Sequence, residues 1–382
     1  MPRGALPCVA FAHAARCMLK INDLARHHAP LAEALAARAQ AVLASGWFVL
    51  GPEVAAFESA FARYCGVEHA IGVANGTDAL ELALRACRVG SGDEVVNVAN
   101  AGMYTTTAIL AVGATPVFVD VGDEDLSMDM SLLEGAITAA TRAIVVTHLY
   151  GHLVDIDAAL AIAAQRGIPL IEDCAQSHGA RHRGQRAGSF GAVGCFSFYP
   201  TKNLGALGDG GALVTSDPVL AERVRALRQY GWSSKYAATV PHGRNSRLDE
   251  LQASLLSVKL PHLDQWNERR VSIARRYSRE IRHPALRVPA VDDARDVGHL
   301  YVLRSDARDA LRAHLAVHDI AAEVHYPIPD HRQAILADHC AGLSLPVTER
   351  ACTQVLTLPC FPEMTDAEVA GVVDCCNRWK VP

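Results

Sequence analysis

Lys202 and Asp173 are the two residues of this chain best placed to do chemistry together. Lys202 lies in Cys195-Phe196-Ser197-Phe198-Tyr199-Pro200-Thr201-Lys202-Asn203, directly after an apolar run, with glycines following at 205, 208, 210 and 211. Twenty-nine positions earlier, Asp173 closes the strand-like run Ile168-Pro169-Leu170-Ile171-Glu172. An amine and a carboxylate, each just past a buried strand, match the needs of pyridoxal phosphate chemistry. The amine forms a Schiff base with the aldehyde, and the acid pairs with the ring nitrogen. An ionised carboxylate within hydrogen-bond reach keeps that nitrogen protonated, because opposite charge favours the charged form. Taken singly, neither residue says much: a loop lysine is usually a solvated charge, and an aspartate after a strand often caps a helix.

Neighbouring residues could complete such a site. Gly76-Thr77 opens a helix directly after a strand, where unsatisfied N–H groups and a hydroxyl can take a phosphate. By itself Thr77 reads more readily as a helix cap, and the phosphate reading gains from Asp173 and Lys202 beside it. Ser197 and the glycines from 205 to 211 could add donors and close backbone approach, or simply serve tight turns. Gln176, three residues beyond Asp173, either faces the same site or is an ordinary surface glutamine. For Lys202 to alternate between bonded and free forms, a neighbouring cation and partial desolvation would have to lower its pKa.

These residues need strands to position them. From about residue 70 short β-branched runs alternate with amphipathic stretches: strands at 95–98, 116–119, 143–147 and 168–171, and helices at 78–84, 105–112 and 155–166. Apolar runs with helical crossovers predict an α/β fold with a mostly parallel sheet covered by helices on both faces. After Asp217 a helix over 218–227 gives way to an irregular polar loop, roughly 230–247, then to a largely helical stretch over 248–282 broken at Pro261. A strand candidate at 300–303 and a closing helix over 366–379 suggest a smaller α+β domain. The expected division is 18–264 for a large cofactor-binding domain with an N-terminal helical segment, and 265–382 for the small C-terminal domain.

Composition narrows the class. Half of the 382 residues are apolar and a fifth are charged, with a formal charge of −5. No basic run or Lys/Arg-lined helix appears, which argues against nucleic acid as a partner. The eleven cysteines are scattered. With an odd count and no CxxC pair they fit reduced thiols in a cytoplasmic protein, and no zinc or other metal site is expected. Residues 1–17 are apolar but too short, and too broken by His13 and Arg16, for a membrane span. A weak signal peptide is the lesser reading; Met18 is the expected start of the protein proper.

Several tracts together resemble a known family. They are Gly51-Pro52-Glu53 with Phe57-Glu58; Asn75-Gly76-Thr77-Asp78-Ala79-Leu80; His148-Leu149-Tyr150-Gly151; Glu172-Asp173-Cys174-Ala175-Gln176; Phe196 to Gly205; and Asn245-Ser246-Arg247-Leu248-Asp249-Glu250. From about Asn22 onward the chain is similar to the sugar aminotransferases related to the 3-amino-5-hydroxybenzoate synthases, of the aspartate aminotransferase fold type (fold type I). The resemblance implies that Lys202 is the Schiff-base lysine and Asp173 the partner of the pyridine nitrogen. It implies that Gln176 lies on the phenolic-oxygen side, that Gly76, Thr77 and Ser197 hold the phosphate, and that Asn245 reaches the phosphate of a neighbouring subunit's cofactor. A homodimer with shared active sites is therefore implied. His325-Tyr326-Pro327 resembles a small-domain motif near the substrate entrance; read from the residues alone it is a turn beside an aromatic. One departure stands out. The aromatic that usually covers the cofactor ring in this family falls on Gly102, and Tyr104 is the nearest candidate to replace it.

The function implied is amino transfer from L-glutamate to a nucleotide-linked keto sugar. Trp232-Ser233-Ser234-Lys235-Tyr236, with the Asn245 to Glu250 tract and Trp266-Asn267-Glu268-Arg269-Arg270, resembles members acting at carbon three of dTDP-3-keto-6-deoxyhexoses. Action at carbon four, or on a cyclitol or aminohydroxybenzoate precursor, is the alternative. A reading from another class is a catalytically silent regulatory protein that binds the cofactor. Retention of both Lys202 and Asp173 weighs against it, and histidine in place of Lys202 would have pointed to a dehydratase.

Overall fold

A computed structural model describes residues 18–292 and 294–381. The expectations for residues 1–17 lie outside the described residues. Seven strands form one sheet: β1 (His69–Val73), β2 (Glu94–Val98), β3 (Thr115–Val119), β4 (Thr141–Thr147), β5 (Leu170–Asp173), β6 (Val193–Ser197) and β7 (Gly211–Thr215), in the order β1-β7-β6-β5-β4-β2-β3. β7 runs against β1 and β6, and the remaining pairs are parallel. The expected mostly parallel sheet is thus present.

Helices cover both faces, which is why the strands are apolar on both sides. On one face Ile71, Val145, Ile171 and Val193 pack with Leu82 and Leu84 of the helix Gly76–Ala86. On the other, Phe196 meets Phe61 edge-on at 5.0 Å and Phe198 does so at 5.3 Å. The period-two alternation of side chains sorts β5 as well. Ile171 enters the first core, while Leu170 enters a separate cluster with Val96 and Val146.

The loop expected at 230–247 holds a short hairpin, Trp232–Ser234 with Ala237–Ala238. Pro261 interrupts the helical stretch as its missing N–H requires: Glu250–Lys259 ends in the 3-10 turn Leu260–His262, and a new helix runs Leu263–Glu280. Beyond it β8 (Tyr301–Arg304) pairs antiparallel with β9 (Val355–Leu358). Helices Arg308–Val317 and Asp366–Arg378 complete that part around Tyr277, Tyr301, Leu303, Leu311 and Phe361. Residue 265 falls inside the helix Leu263–Glu280, whose Leu263 packs in the large-domain core while Ile273 and Tyr277 pack in the small one. Leu19 also bridges to Ile320, so the first described residues lean on the small domain.

Candidate active site

The strands of the sheet other than β7 share one direction, and their C-terminal ends open on a cavity of about 1300 Å³. That edge is where open α/β sheets leave room for ligands. Gly76, Thr77, Asp173, Gln176, Ser197 and Lys202 all line it from the large domain. Tyr104 does so from the start of the helix after β2, and His325 and Tyr326 from the small-domain side.

Asn75 precedes the helix Gly76–Ala86 and its side chain accepts the Asp78 N–H at 2.8 Å. The N–H groups of Gly76 and Thr77 stay available at a helix end that favours anions. Gly76 has a steric reason to be glycine: a Cβ there would lie 2.6 Å from the Cβ of Ser197. Helix start and strand end are thereby pressed together, and the Thr77 and Ser197 hydroxyls share one cradle wall.

Asp173 ends β5 and is buried. Its Oδ2 accepts the Thr105 hydroxyl and its Oδ1 the Ala175 N–H, each at 3.1 Å. Burial pushes its carboxyl up from the usual range, opposed by those two donors and by Lys202. Lys202 follows β6 in a turn that its own N–H closes on the Tyr199 carbonyl at 2.8 Å. Burial lowers its amine to about 8, and the Asp173 charge works against that lowering. Desolvation is therefore present as expected, whereas no neighbouring cation contributes. The amine is closer to its neutral, nucleophilic form than a surface lysine would be.

Gln176 is buried and engaged at both ends. Its Oε1 accepts the Tyr150 N–H at 2.6 Å, and its amide N–H donates to the Tyr326 hydroxyl at 3.2 Å. Gly102 proves unable to carry a ring. Its φ is +76°, and a Cβ would sit 2.9 Å from the Tyr326 ring, which already fills that space. Tyr104 stands half-exposed at the cavity wall with its ring edge-on to Tyr326 at 6.1 Å. His325 anchors its Nδ1 on the Thr357 hydroxyl at 2.8 Å, and burial lowers its pKa. Asn245 is the predicted residue that does not join this cavity. It lines a separate depression of about 370 Å³ with Val49, Ala74 and Arg247, and Asp209 borders both spaces.

With this geometry in place, comparison with known proteins gives one answer. Residues 30–377 match the model of the DegT/DnrJ/EryC1/StrS aminotransferase family. This chain belongs to that family. It is 45% identical over 341 residues to dTDP-3-amino-3,4,6-trideoxy-alpha-D-glucose transaminase of Streptomyces venezuelae, covering 88% of this chain and 90% of that protein. It is 48% identical over 329 residues to the erythromycin biosynthesis sensory transduction protein EryC1 of Saccharopolyspora erythraea, covering 85% and 89%. The crystal structure of DesV from S. venezuelae in complex with a ketimine intermediate superposes with a TM-score of 0.91 at 43% identity, covering 96% of this chain and all of that one. Both the enzyme class and the fold type anticipated from the sequence are borne out.

Other residues of this family member shape the site without having been anticipated. Thr105 orients Asp173. Asn203, beside Lys202, donates to Asn267 at 2.8 Å and to the Val297 carbonyl at 3.0 Å, and meets His299 at 2.8 Å. Lys259 donates to the Gly205 carbonyl at 2.6 Å and meets His28 Nε2 at 2.9 Å, so both flanks of the Lys202 turn are pinned. Glu172 points away from Asp173 across the sheet. It accepts N–H groups of Gly188, Phe190 and Gly191 at 2.8 Å and meets His148 at 3.0 Å, which accounts for a buried acid that does no chemistry. His148, Glu172 and Cys174 are close enough to hold a metal, but these bonds already satisfy Glu172. From the small domain, Asp330 accepts the Met103 N–H at 2.9 Å and the Thr106 hydroxyl at 2.6 Å, tying that domain to the helix of Tyr104. The short-range signal for Thr105 was its place one residue after Tyr104; Asp330 had none.

Proposed function

We propose that the chain uses pyridoxal 5′-phosphate to transfer the amino group of L-glutamate to a nucleotide-linked 3-keto-6-deoxyhexose. The observation that carries this reading is the gathering of a pKa-lowered lysine, a buried carboxylate and an anion cradle at one cavity. The residues fit the cofactor. The Gly76–Ser197 contact shapes a pocket that a Cβ would fill, and the free helix N–H groups with two hydroxyls suit a phosphate. Asp173 is a buried carboxylate on the cavity wall that would pair with a ring nitrogen, and Lys202 is an amine that would take an aldehyde. Bound pyridoxal phosphate supplies the aldehyde that carries the amino group and the ring that delocalises electrons.

The chain's own residues do the rest. Lys202 Nζ would hold the aldehyde, and as a free amine it would take a proton from the donor's α-carbon and return it as general base and acid. An amine near 8 divides between the two forms these opposite duties require. Asp173, steadied by Thr105 and Ala175, holds the ring nitrogen protonated. Gly76, Thr77 and Ser197 grip the phosphate. Gln176 keeps the Tyr326 wall in place beside the phenolic oxygen. Tyr104 covers the ring, since Gly102 cannot, and His325 with Tyr326 borders the acceptor.

Asn245 serves a second copy's site in this reading, which makes a homodimer the working unit. In support, Val49 lines the same depression and, with Trp47 and Phe48, forms an exposed apolar edge beside it. Position three on the sugar rests on the Streptomyces relative, named for a 3-amino product. A cytoplasmic setting accords with nine described cysteines that are all free. No helix of the described residues is long and apolar enough to cross a membrane.

Titrating purified holoenzyme with L-glutamate while following its visible absorbance tests the reading. The band should bleach, then recover on adding a dTDP-3-keto-6-deoxyhexose but not a 4-keto isomer. Recovery with the 4-keto sugar alone would move the reaction to carbon four. A band indifferent to every amino acid would mark a silent cofactor-binding protein.

A further inference from the structure

A second group of side chains outside the cavity has the chemistry of a metal site. His314, His318 and Cys375 lie together on the small domain, and none of them lines the active-site cavity. One ring nitrogen of each histidine and the Cys375 sulfur lie within 4.8 Å of one another. His314 is in the last turn of the helix Arg308–Val317, and His318 caps that helix one turn on. Cys375 is in the last turn of the closing helix Asp366–Arg378. The cluster at His148, Glu172 and Cys174 differs, because three N–H groups already fill its carboxylate.

Hydrogen bonds prepare both rings. His314 Nε2 meets the Cys375 carbonyl at 3.2 Å, and His318 Nδ1 meets the His314 carbonyl at 2.8 Å. A carbonyl only accepts, so each of these nitrogens carries its ring's proton. His314 Nδ1 and His318 Nε2 are left with lone pairs. A ring that spends its N–H on a backbone carbonyl and offers the other nitrogen is in the state of a metal-bound histidine. Such bonds also cap a helix end, and alone they would mean no more than that. The rest of the setting goes past capping. The two rings stand 4.4 Å apart, and Cys375 beside them is a free thiol, 8% exposed. Two helices bring their C-terminal ends to the same place, where the backbone dipoles favour a cation. His318 is exposed, so an ion can enter from solvent.

We propose that His314, His318 and Cys375 bind zinc, or a divalent cation of like softness, on the outer face of the small domain. Zinc bonds of about 2.0–2.3 Å set tetrahedral ligand atoms about 3.3–3.7 Å apart, so the side chains need draw in by no more than about 1.5 Å. Thiolate with imidazole selects zinc over magnesium and calcium, which take oxygen ligands. Binding forms the sulfur–metal bond and releases the thiol proton to solvent. Water fills the fourth position on the exposed side. The ion cross-links two helices whose ligands lie 61 positions apart in the chain, so it acts on the stability of the small domain. Cysteine spacing argues against zinc because no short motif holds these residues.

The test titrates metal-free holoenzyme, purified without a polyhistidine tag, with zinc by calorimetry and with cobalt by absorbance. The wild type should bind one zinc per chain with a Kd of about 10 µM or tighter. Cobalt should bring a thiolate-to-metal band and the visible bands of a tetrahedral ion. His318→Ala, at an exposed position, should weaken zinc by at least the roughly 10–100-fold that even outer-shell partners are worth. Cys375→Ser should abolish the thiolate band. Zinc should raise the wild-type melting temperature by a few degrees and leave that of His318→Ala unmoved. If Cys375→Ser does not fold, the cobalt spectrum of the wild type beside that of His318→Ala decides. A wild type that takes up no zinc at about 100 µM, equal zinc affinity in His318→Ala, or a cobalt spectrum without a thiolate band would overturn the assignment.

Discussion

The two walls of the cavity are held by different means. On the sheet side, position follows from the backbone. Asp173 and Ser197 sit where β5 and β6 end, in register with their neighbours, and Gly76 touches Ser197 so closely that no side chain fits between. On the small-domain side, position comes from side chains reaching across the fold. Tyr326 is held by Gln176 across 150 positions, and Asp330 holds Thr106 across 224. A backbone-built wall resists point substitution except at its glycines and chemical groups. A wall built from side-chain bonds loosens one bond at a time. In the proposed function the chemistry lies on the first wall, and the groups that border the acceptor lie on the second.

The sharpest way to break that division is to remove chemistry from the rigid wall without moving it. Lys202→Ala should abolish transamination, with a loss of at least about 10²-fold from general acid–base catalysis alone. Melting temperature and phosphate retention should change little, because Asn203 and Lys259, not the amine, pin the turn. Steady-state turnover of purified variant beside a thermal melt checks both halves. Residual turnover above about a hundredth of wild type would mean that another group carries the proton.

The same contrast explains what the residues disclosed in advance. Asp173, Lys202, Gly76, Thr77 and Ser197 were legible because each is bound to a strand end or helix start, and those follow from local apolar periodicity and helix-opening signals. The break at Pro261 and the strand–helix alternation were legible for the same reason. Thr105, His299 and Asp330 were not. Their roles depend on partners brought close by the fold: Asp173 for Thr105, Asn203 for His299 and Thr106 for Asp330. Asn245 falls between: family resemblance gave it a role, and the geometry of one chain leaves it outside that chain's own cavity. At Gly102 sequence counting found a missing ring but could not show that Tyr326 occupies the space.

A smaller effect is expected where the rigid wall depends on one missing atom. Gly76→Ala adds a Cβ 2.6 Å from that of Ser197, so either strand end or helix start must shift. Overpacking of this kind costs about 1–3 kcal/mol. Because the shift falls on the anion cradle, cofactor affinity should drop by about tenfold, measured by equilibrium dialysis, with turnover of the loaded enzyme reduced less. If affinity holds while turnover collapses, the cradle is not where the phosphate is gripped.

The mildest change probes the second wall through pH. Asp330 is 1% exposed, and burial lifts its carboxyl to about 6, against the opposing hydrogen bonds of Thr106 and Met103. A carboxyl whose folded pKa lies above its unfolded value of about 3.8 keeps its proton in the native chain over a range where the unfolded chain has lost it. Its contribution to stability therefore falls as pH rises from about 4 to 6, and the penalty is complete above that. Two units at 1.36 kcal/mol each set a ceiling of about 3 kcal/mol. Asn at this position stays neutral, can still accept the Met103 N–H, and can donate to Thr106. Asp330→Asn should thus melt close to wild type at pH 4 and above it at pH 7, by a few degrees at most. Thermal melts at the two pH values measure the difference directly. A variant less stable than wild type at pH 7 would show that the ionised carboxylate is the better clamp, and that the small-domain wall is held by charge instead of by neutral hydrogen bonds.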